Sequence, residues 1–276
     1  MIRPIVLKFG GELLEEPAGL TSVVGAIARI VATRAPIALV HGGGKEIDAA
    51  LQAAGIEKHQ VDGLRVTDAA TLDVVISVLG AINTRFVAAV AAASVDAVGL
   101  TGADGRCGLS DVAPPHRTID GRDVDLGRVG VPSRHADMRL LQSLMRDGFV
   151  PVVACIGVTA DGHLLNVNAD TLAGHLAARL GAQRLVIAGA TPGVLHADGT
   201  TALTLEPPDL ARLVADGTAT AGMIAKLRAC EHALASGVDE VLIVDGRDGA
   251  ALEAAANGAD VAKATRIATE RCRAGG

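Results

Sequence analysis

Tryptophan and tyrosine are missing from this 276-residue chain, and only three phenylalanines are present. With so few flat rings there is no platform on which to stack nucleobases. Excess positive charge is missing too: 25 Lys and Arg stand against 31 Asp and Glu, a formal net charge of −6. No basic face is on offer to a phosphate backbone, so nucleic acid is not expected as a partner. No apolar run is read as long enough to span a bilayer, and no signal-peptide pattern precedes the first strand, so no membrane partner is expected. Cysteine is sparse: Cys107, Cys155, Cys230 and Cys272 show neither C-x-x-C nor a metal-ligand spacing. In a chain of this length without an export signal they read as reduced thiols in the cytoplasm. Cys155, inside an apolar run, is expected in the core. Metal motifs are lacking as well. The eight His show no H-E-x-x-H, and Asp120, Asp123 and Asp125 fail the calcium-loop pattern, because Arg122 takes the third position and no glutamate follows at the required offset. Without a G-x-S-x-G elbow, hydrolase readings have no support.

What is present is aliphatic: half of the chain is hydrophobic, dominated by Ala, Val, Leu and Gly. That suffices for a large core, as one α/β domain or two lobes. Strands are expected at 5–9, 37–40, 97–100, 150–156, 185–188 and 240–244. Helices are expected at 20–31, 46–54, from Thr67-Asp68 through Leu79, over 135–147, from Asn168 to Leu180 and over 223–235. The stretch 104–132, rich in Gly, Pro and Asp, reads as turns and short strands. Regular alternation predicts a mainly parallel sheet covered on both faces. There are no repeats and no flexible linker.

Two strand-to-helix junctions carry glycine clusters: Lys8-Phe9-Gly10-Gly11 and His41-Gly42-Gly43-Gly44-Lys45. Neither matches G-x-x-x-x-G-K-[ST] or G-x-G-x-x-G. Each is either a tight turn or a place where backbone N–H groups and a helix N-terminus receive an anion. Lys8 lies within an apolar strand, where an unpartnered ammonium is costly, so a pocket anion or a nearby carboxylate is expected beside it. Asn166-Val167-Asn168-Ala169-Asp170 leads into a helix; its polar groups either cap that helix or face a ligand, with Asp170 orienting a lysine. Lys226, opening a late helix, has the surface as its plain reading, since lysines are mostly exposed. Arg65, between apolar residues, can grip a carboxylate with two parallel hydrogen bonds or sit in an ordinary ion pair.

Taken in order, these segments, together with 62–67, 98–100, 156–159 and 222–226, resemble the amino acid kinase family over nearly the whole chain, and within it the kinases of N-acetyl-L-glutamate. The resemblance implies an open, mostly parallel sheet between helices. It implies an acyl-amino-acid-binding lobe over 1–170 and a nucleotide-binding lobe over 171–276. It further implies transfer of the ATP γ-phosphoryl group, with Mg²⁺, to the side-chain carboxylate of N-acetyl-L-glutamate, giving the 5-phosphate for arginine biosynthesis. On the matching positions, Lys8 and Lys226 flank the transferring group and Asp170 organises them. Gly43, Gly44, Arg65 and Asn166 hold the acceptor. Gly10, Gly11, Ala190, Thr191, Gly193, Leu195, Thr218 and Thr220 fall on nucleotide segments. One departure stands out: relatives carry an aspartate where this chain has Ala190. The excursion 106–128 is longer than in compact relatives and reads as a substrate lid. Only Met1, Ile2 and Arg3 precede the first strand, and the resemblance then implies a homodimer not inhibited by arginine. The alternatives are a kinase of N-succinylglutamate or of carrier-linked aminoadipate or glutamate, and a non-catalytic sensor of the same fold.

Overall fold

The computed structural model describes residues 2–118, 121–196, 198–215 and 221–268. Strand β1 (Ile5–Phe9) is buried throughout and turns at Gly10-Gly11 into one helical turn, α1 (Glu12–Glu15). Pro17 starts α2 (Pro17–Ala32), where its missing N–H is not needed. Strand β2 (Ile37–His41) leads through Gly42-Gly43 into α3 (Gly44–Ala53). A hairpin of β3 (Gln60–Val61) and β4 (Leu64–Arg65) turns at Asp62-Gly63, whose φ values of 48° and 78° suit Asp and Gly. Asp68 caps α4 (Ala69–Ala92) by accepting from the Thr71 N–H at 2.7 Å. After β5 (Ala97–Thr101), strands β6 (Ser110–Val112), β7 (His116–Arg117), β8 (Asp123–Val124) and β9 (Gly130–Pro132) pair as β6 with β9 and β7 with β8. Helix α5 (Arg139–Arg146) and strand β10 (Val150–Ala154) precede an antiparallel pair, β11 (Ile156–Val158) and β12 (Leu164–Asn166). Asn168 caps α6 (Ala169–Leu180), which ends at left-handed Gly181 (φ 63°). The chain continues through β13 (Arg184–Gly189), β14 (Thr204–Leu205), α7 (Pro207–Ala215), α8 (Ala221–Ala235), β15 (Glu240–Asp245), α9 (Gly249–Ala256) and β16 (Ala264–Ala268).

Eight strands form one sheet in the order β14-β16-β15-β13-β1-β2-β10-β5. All neighbours are parallel except β15 and β16. Strand β1 lies between β2 and β13, with Phe9 level with His41 on one side and Ala188 on the other. The carboxyl ends of β1, β2 and β13 therefore stand side by side in the middle of the sheet. The connection from β1 runs one way and β13 joins from the other, the arrangement that opens a crevice at strand ends. Leu72, Val75, Leu79, Ile82, Phe86 and Val90, spaced three or four apart, put one face of α4 into the core. There Phe86 meets Phe9 edge to face, with ring centroids 5.7 Å apart.

Several boundaries differ from the sequence expectation. Helix α4 runs on to Ala92 rather than ending near Leu79. At 24 residues it is long and apolar enough, by length and composition, to cross a bilayer, which corrects the expectation that no run reaches that length. In the fold its apolar stripe packs on α2, α3 and β5. The 135–147 segment is helical only over Arg139–Arg146, because Ser133 and Asp137 make turns before it. The 150–156 run divides at Cys155, where the chain leaves the large sheet for the β11–β12 pair. Cys107, Cys155 and Cys230 are free and buried, and Cys272 lies outside the described residues.

Candidate active site

The site forms where the β1–α1 and β2–α3 turns meet. A Cβ placed on Gly11 would fall 2.7 Å from the Gly43 Cα, so only glycine lets the two backbones touch. Gly10 donates from its N–H to the Ala188 carbonyl at 3.0 Å and Gly42 to the Phe9 carbonyl at 3.2 Å, which ties both turns to the sheet edge.

Lys8 and Asp170 are both nearly buried, and their Nζ and Oδ1 are 2.8 Å apart. From α8, the Lys226 Nζ approaches the other oxygen, Oδ2, at 3.7 Å. Asp170 thus serves both ammoniums from the first turn of α6. Burial pulls the Lys8 pKa down, but the charge and hydrogen bond of Asp170 outweigh it, and the net direction is up from 10.5. Burial likewise pushes Asp170 up, and the two lysines bring it below 3.8. Lys226, desolvated by burial and next to a second cation, ends below 10.5 despite Asp170. With 14% of its side chain exposed, Lys226 is not the surface lysine of its plain reading.

A pocket of about 250 Å³ opens above Lys8, Asp170, Gly10, Gly11, Gly43 and Gly44. Arg65 and Asn166 line it too, so the structure gathers these sequence-selected residues in one cavity; Lys226 is not among its lining residues and meets it through Asp170. The Arg65 side chain is 9% exposed; Nη2 pairs with Asp48, while Nη1 is buried and has no hydrogen-bond partner among the described residues. Asp48 is held from its other side by Lys58 at 2.6 Å. Asn166 donates from Nδ2 to Thr67 Oγ1 at 3.0 Å, and its N–H reaches the Arg128 carbonyl at 2.9 Å. The 106–128 excursion therefore returns against the pocket, and Val129 forms part of its wall.

Glu12 and Gln60 also line the pocket and were not singled out from the sequence; Asn168, read there as capping or ligand-facing, and Cys155, read there as core, line it too. Glu12 had a signal, an acid directly after a glycine pair. Cys155 had none, since an apolar run conceals which residue meets a lysine; burial pushes its thiol up to about 12. Ala190, Thr191, Gly193 and Leu195 lie outside this pocket, on the segment leaving β13. Gly193 has φ 92°, and a Cβ there would meet Thr265 Oγ1 at 2.4 Å. The Ala190 carbonyl accepts from Arg247 at 3.0 Å. Thr218 and Thr220 lie outside the described residues.

Among the described residues no three His, Cys, Asp or Glu side chains come together as a metal cage. The carboxylates at the pocket are Glu12 and Asp170. A hard cation carried on phosphate oxygens and completed by one carboxylate fits such a donor set.

The fold and this geometry place the chain in a known group: it belongs to the amino acid kinase family, whose model matches residues 3–245. Among curated relatives, an acetylglutamate kinase from Novosphingobium aromaticivorans is 40% identical over 255 residues, covering 89% of this chain and 84% of its own. That of Erythrobacter litoralis is 41% identical over 251 residues, covering 89% and 83%. Among solved structures, N-acetylglutamate synthase from Neisseria gonorrhoeae, complexed with coenzyme A and N-acetyl-glutamate, superposes with a TM-score of 0.82 at 26% identity, over 97% of this chain and 60% of that one. Giardia carbamate kinase, 16% identical, shares the fold with a TM-score of 0.70 over 97% of this chain and 99% of its own.

Proposed function

We propose that this chain is a kinase that transfers the γ-phosphoryl group of ATP to the side-chain carboxylate of N-acetyl-L-glutamate, in arginine biosynthesis. Relatives of that activity at about 40% identity support the reaction. The observation that carries it is Asp170 shared by Lys8 and Lys226 beside the touching glycine turns, in a pocket that Arg65 also lines.

The acceptor's α-carboxylate pairs with the Arg65 guanidinium, and Asn166 holds its polar groups. Gly43 and Gly44 present the start of α3 to the reacting end. A carboxylate oxygen attacks the γ-phosphorus as the bond to the β-bridging oxygen breaks, and ADP leaves with that electron pair. The acceptor is already ionised at neutral pH, so no proton moves and no general base is required. His41 is no candidate for one, since its Nε2 is occupied by Asn83. Catalysis consists of alignment and of positive charge at the equatorial oxygens, from Lys8 and Lys226. Mg²⁺ bound with the nucleotide supplies further charge neutralisation to the phosphates. The nucleotide occupies the 171–276 side, along Ala190, Thr191, Gly193, Leu195, Thr218 and Thr220, with Gly10 and Gly11 beneath its terminal phosphate. A homodimer accompanies this reading.

The test is a hydroxamate assay for acyl phosphate with MgATP and N-acetylglutamate, N-succinylglutamate or glutamate as acceptor. Product with N-acetylglutamate alone is the expected outcome. Equal or greater product with N-succinylglutamate moves the acyl specificity, and none with any acceptor removes the kinase reading.

A further inference from the structure

Glu12 is the one carboxylate at the pocket that the reaction scheme leaves without a task. It is the first residue of α1, directly after Gly10-Gly11, and its side chain folds back over the turn. A Cβ placed on Gly10 would fall 2.3 Å from both carboxylate oxygens, and one on Gly189 would fall 3.5 Å from Oε1. The carboxylate thus stands between the first glycine turn and the end of β13, the strand from which the Ala190–Gly193 segment departs. It faces the pocket, only partly exposed, and among the described residues no group donates a hydrogen bond to it. Its charge acts on both ammoniums in the direction of raising their pKa, yet neither lysine leaves Asp170 to pair with it.

The charge balance poses a problem. Lys8 and Lys226 bring two positive charges, and Asp170 and Glu12 bring two negative ones. A site of no net charge would then have to receive a triphosphate and a carboxylate, with a free carboxylate beside the incoming phosphates. A divalent cation removes the conflict, because it binds the carboxylate and the phosphates together. Mg²⁺ characteristically takes one or two carboxylates plus substrate phosphates and retains several waters, rather than filling an all-protein cage. Asp170 is engaged by the lysines on both oxygens, and Glu12 is not.

We propose that the Glu12 carboxylate is the protein's own ligand for the Mg²⁺ that enters with the nucleotide, bound to it directly or through one coordinated water. The inference rests on the kinase reading above. Glu12 then fixes the metal, and with it the terminal phosphate, over Gly10 and toward Lys8.

Titration calorimetry with AMP-PNP, with and without Mg²⁺, tests this on wild type, Glu12→Gln and Glu12→Asp, each checked for folding by its thermal transition. In the wild type Mg²⁺ is expected to tighten AMP-PNP binding. In Glu12→Gln that enhancement falls by about tenfold, the lower end of the scale for losing a carboxylate around a metal. Metal-free AMP-PNP binds Glu12→Gln at least as tightly as wild type, and Glu12→Asp retains part of the enhancement. Electron paramagnetic resonance of Mn²⁺ with AMP-PNP and enzyme gives a second readout, with a spectrum that changes in Glu12→Gln. An unchanged Mg²⁺ enhancement and an unchanged Mn²⁺ spectrum in Glu12→Gln would overturn the assignment. So would a variant that binds AMP-PNP more tightly by the same factor with and without metal, since Glu12 would then be only an anion displaced by phosphate. Failure of the wild type to bind AMP-PNP at all overturns the kinase reading itself, and the assignment with it.

Discussion

His41 and Asn83 meet in the core at 3.0 Å, one at the last residue of β2 and the other midway along α4. Burial holds the His41 pKa down at about 4, so the imidazole is neutral. Asn83 Nδ2 faces His41 Nε2 and also donates to the Val152 carbonyl at 2.9 Å. Nε2 is therefore the acceptor, a tautomer assigned from the network, and Nδ1 carries the hydrogen facing the Gly42 carbonyl at 3.2 Å. The pair joins α4 and β10 to the residue just before Gly42-Gly43.

Asn83→Leu leaves the His41 ring nitrogen without its donor and removes the side-chain hydrogen bond to the Val152 carbonyl. Stability is expected to fall by about 3 kcal/mol, on the scale of about 1–3 kcal/mol for each orphaned buried polar group. Urea unfolding measures it, and a loss under about 1 kcal/mol would show that the network carries little energy.

Acid should destabilise the fold before its carboxylates titrate. His175 on α6 is buried, and its Nε2 has no hydrogen-bond partner among the described residues. Burial, then the nearby His232 and Arg179, push its pKa down to about 4. For both His41 and His175 the folded pKa lies below the ordinary 6.5. The unfolded chain takes up these protons first as pH falls, so the stabilisation is complete above 6.5 and is lost on the way down to about 4. The melting temperature should decline across that window, and a rise there would contradict the assignment.

On the proposed mechanism, Lys8→Ala and Lys226→Ala remove charge that acts on the phosphoryl oxygens in the transition state. Each is expected to lower kcat by about a hundredfold or more, the scale for losing a preorganised electrostatic donor. A folded variant that keeps near wild-type kcat would remove that lysine from the catalytic set.

On the proposed reading, Arg65→Ala should raise the KM for N-acetylglutamate much more than that for ATP, because Arg65 lines the pocket and its guanidinium keeps an unused nitrogen beside the Asp48 pair. Arg65→Lys should rescue poorly, since an ammonium cannot keep Asp48 and a substrate carboxylate on one planar fork. The opposite KM pattern would place Arg65 with the nucleotide.

With no carboxylate side chain at Ala190, discrimination between bases should be weak. The ratio of kcat/KM for ATP over GTP is the measure, and a strong preference for ATP would mean that other groups read the base.

The residues that meet at the pocket were legible one by one because each broke a local rule. Lys8 is a charge inside an apolar strand, and the glycine pairs sit where a strand meets a helix. Asn168-Ala169-Asp170 has the form of a cap, and Asn168 is one, accepting from the Thr171 N–H at 3.0 Å. Burial of Lys226 was not legible, since it depends on how α8 packs on α6. Nor was Asp48, the partner of Arg65, which lies 17 residues away across a hairpin. The second half of α4 was missed because Asn83-Thr84-Arg85 interrupts the apolar pattern, although Asn83 is buried. Helix α9 and strand β16 escaped because alanine marks no face and five residues show no period.

The contact between Gly11 and Gly43 also bears on how the molecule can move. Bare backbone against bare backbone leaves no side chain to rotate and no slack to absorb, so the two turns form a rigid pivot at the middle of the sheet edge. A wider site therefore cannot come from parting these turns without breaking their contact, and has to come from elements at the pocket's rim such as the β3–β4 hairpin.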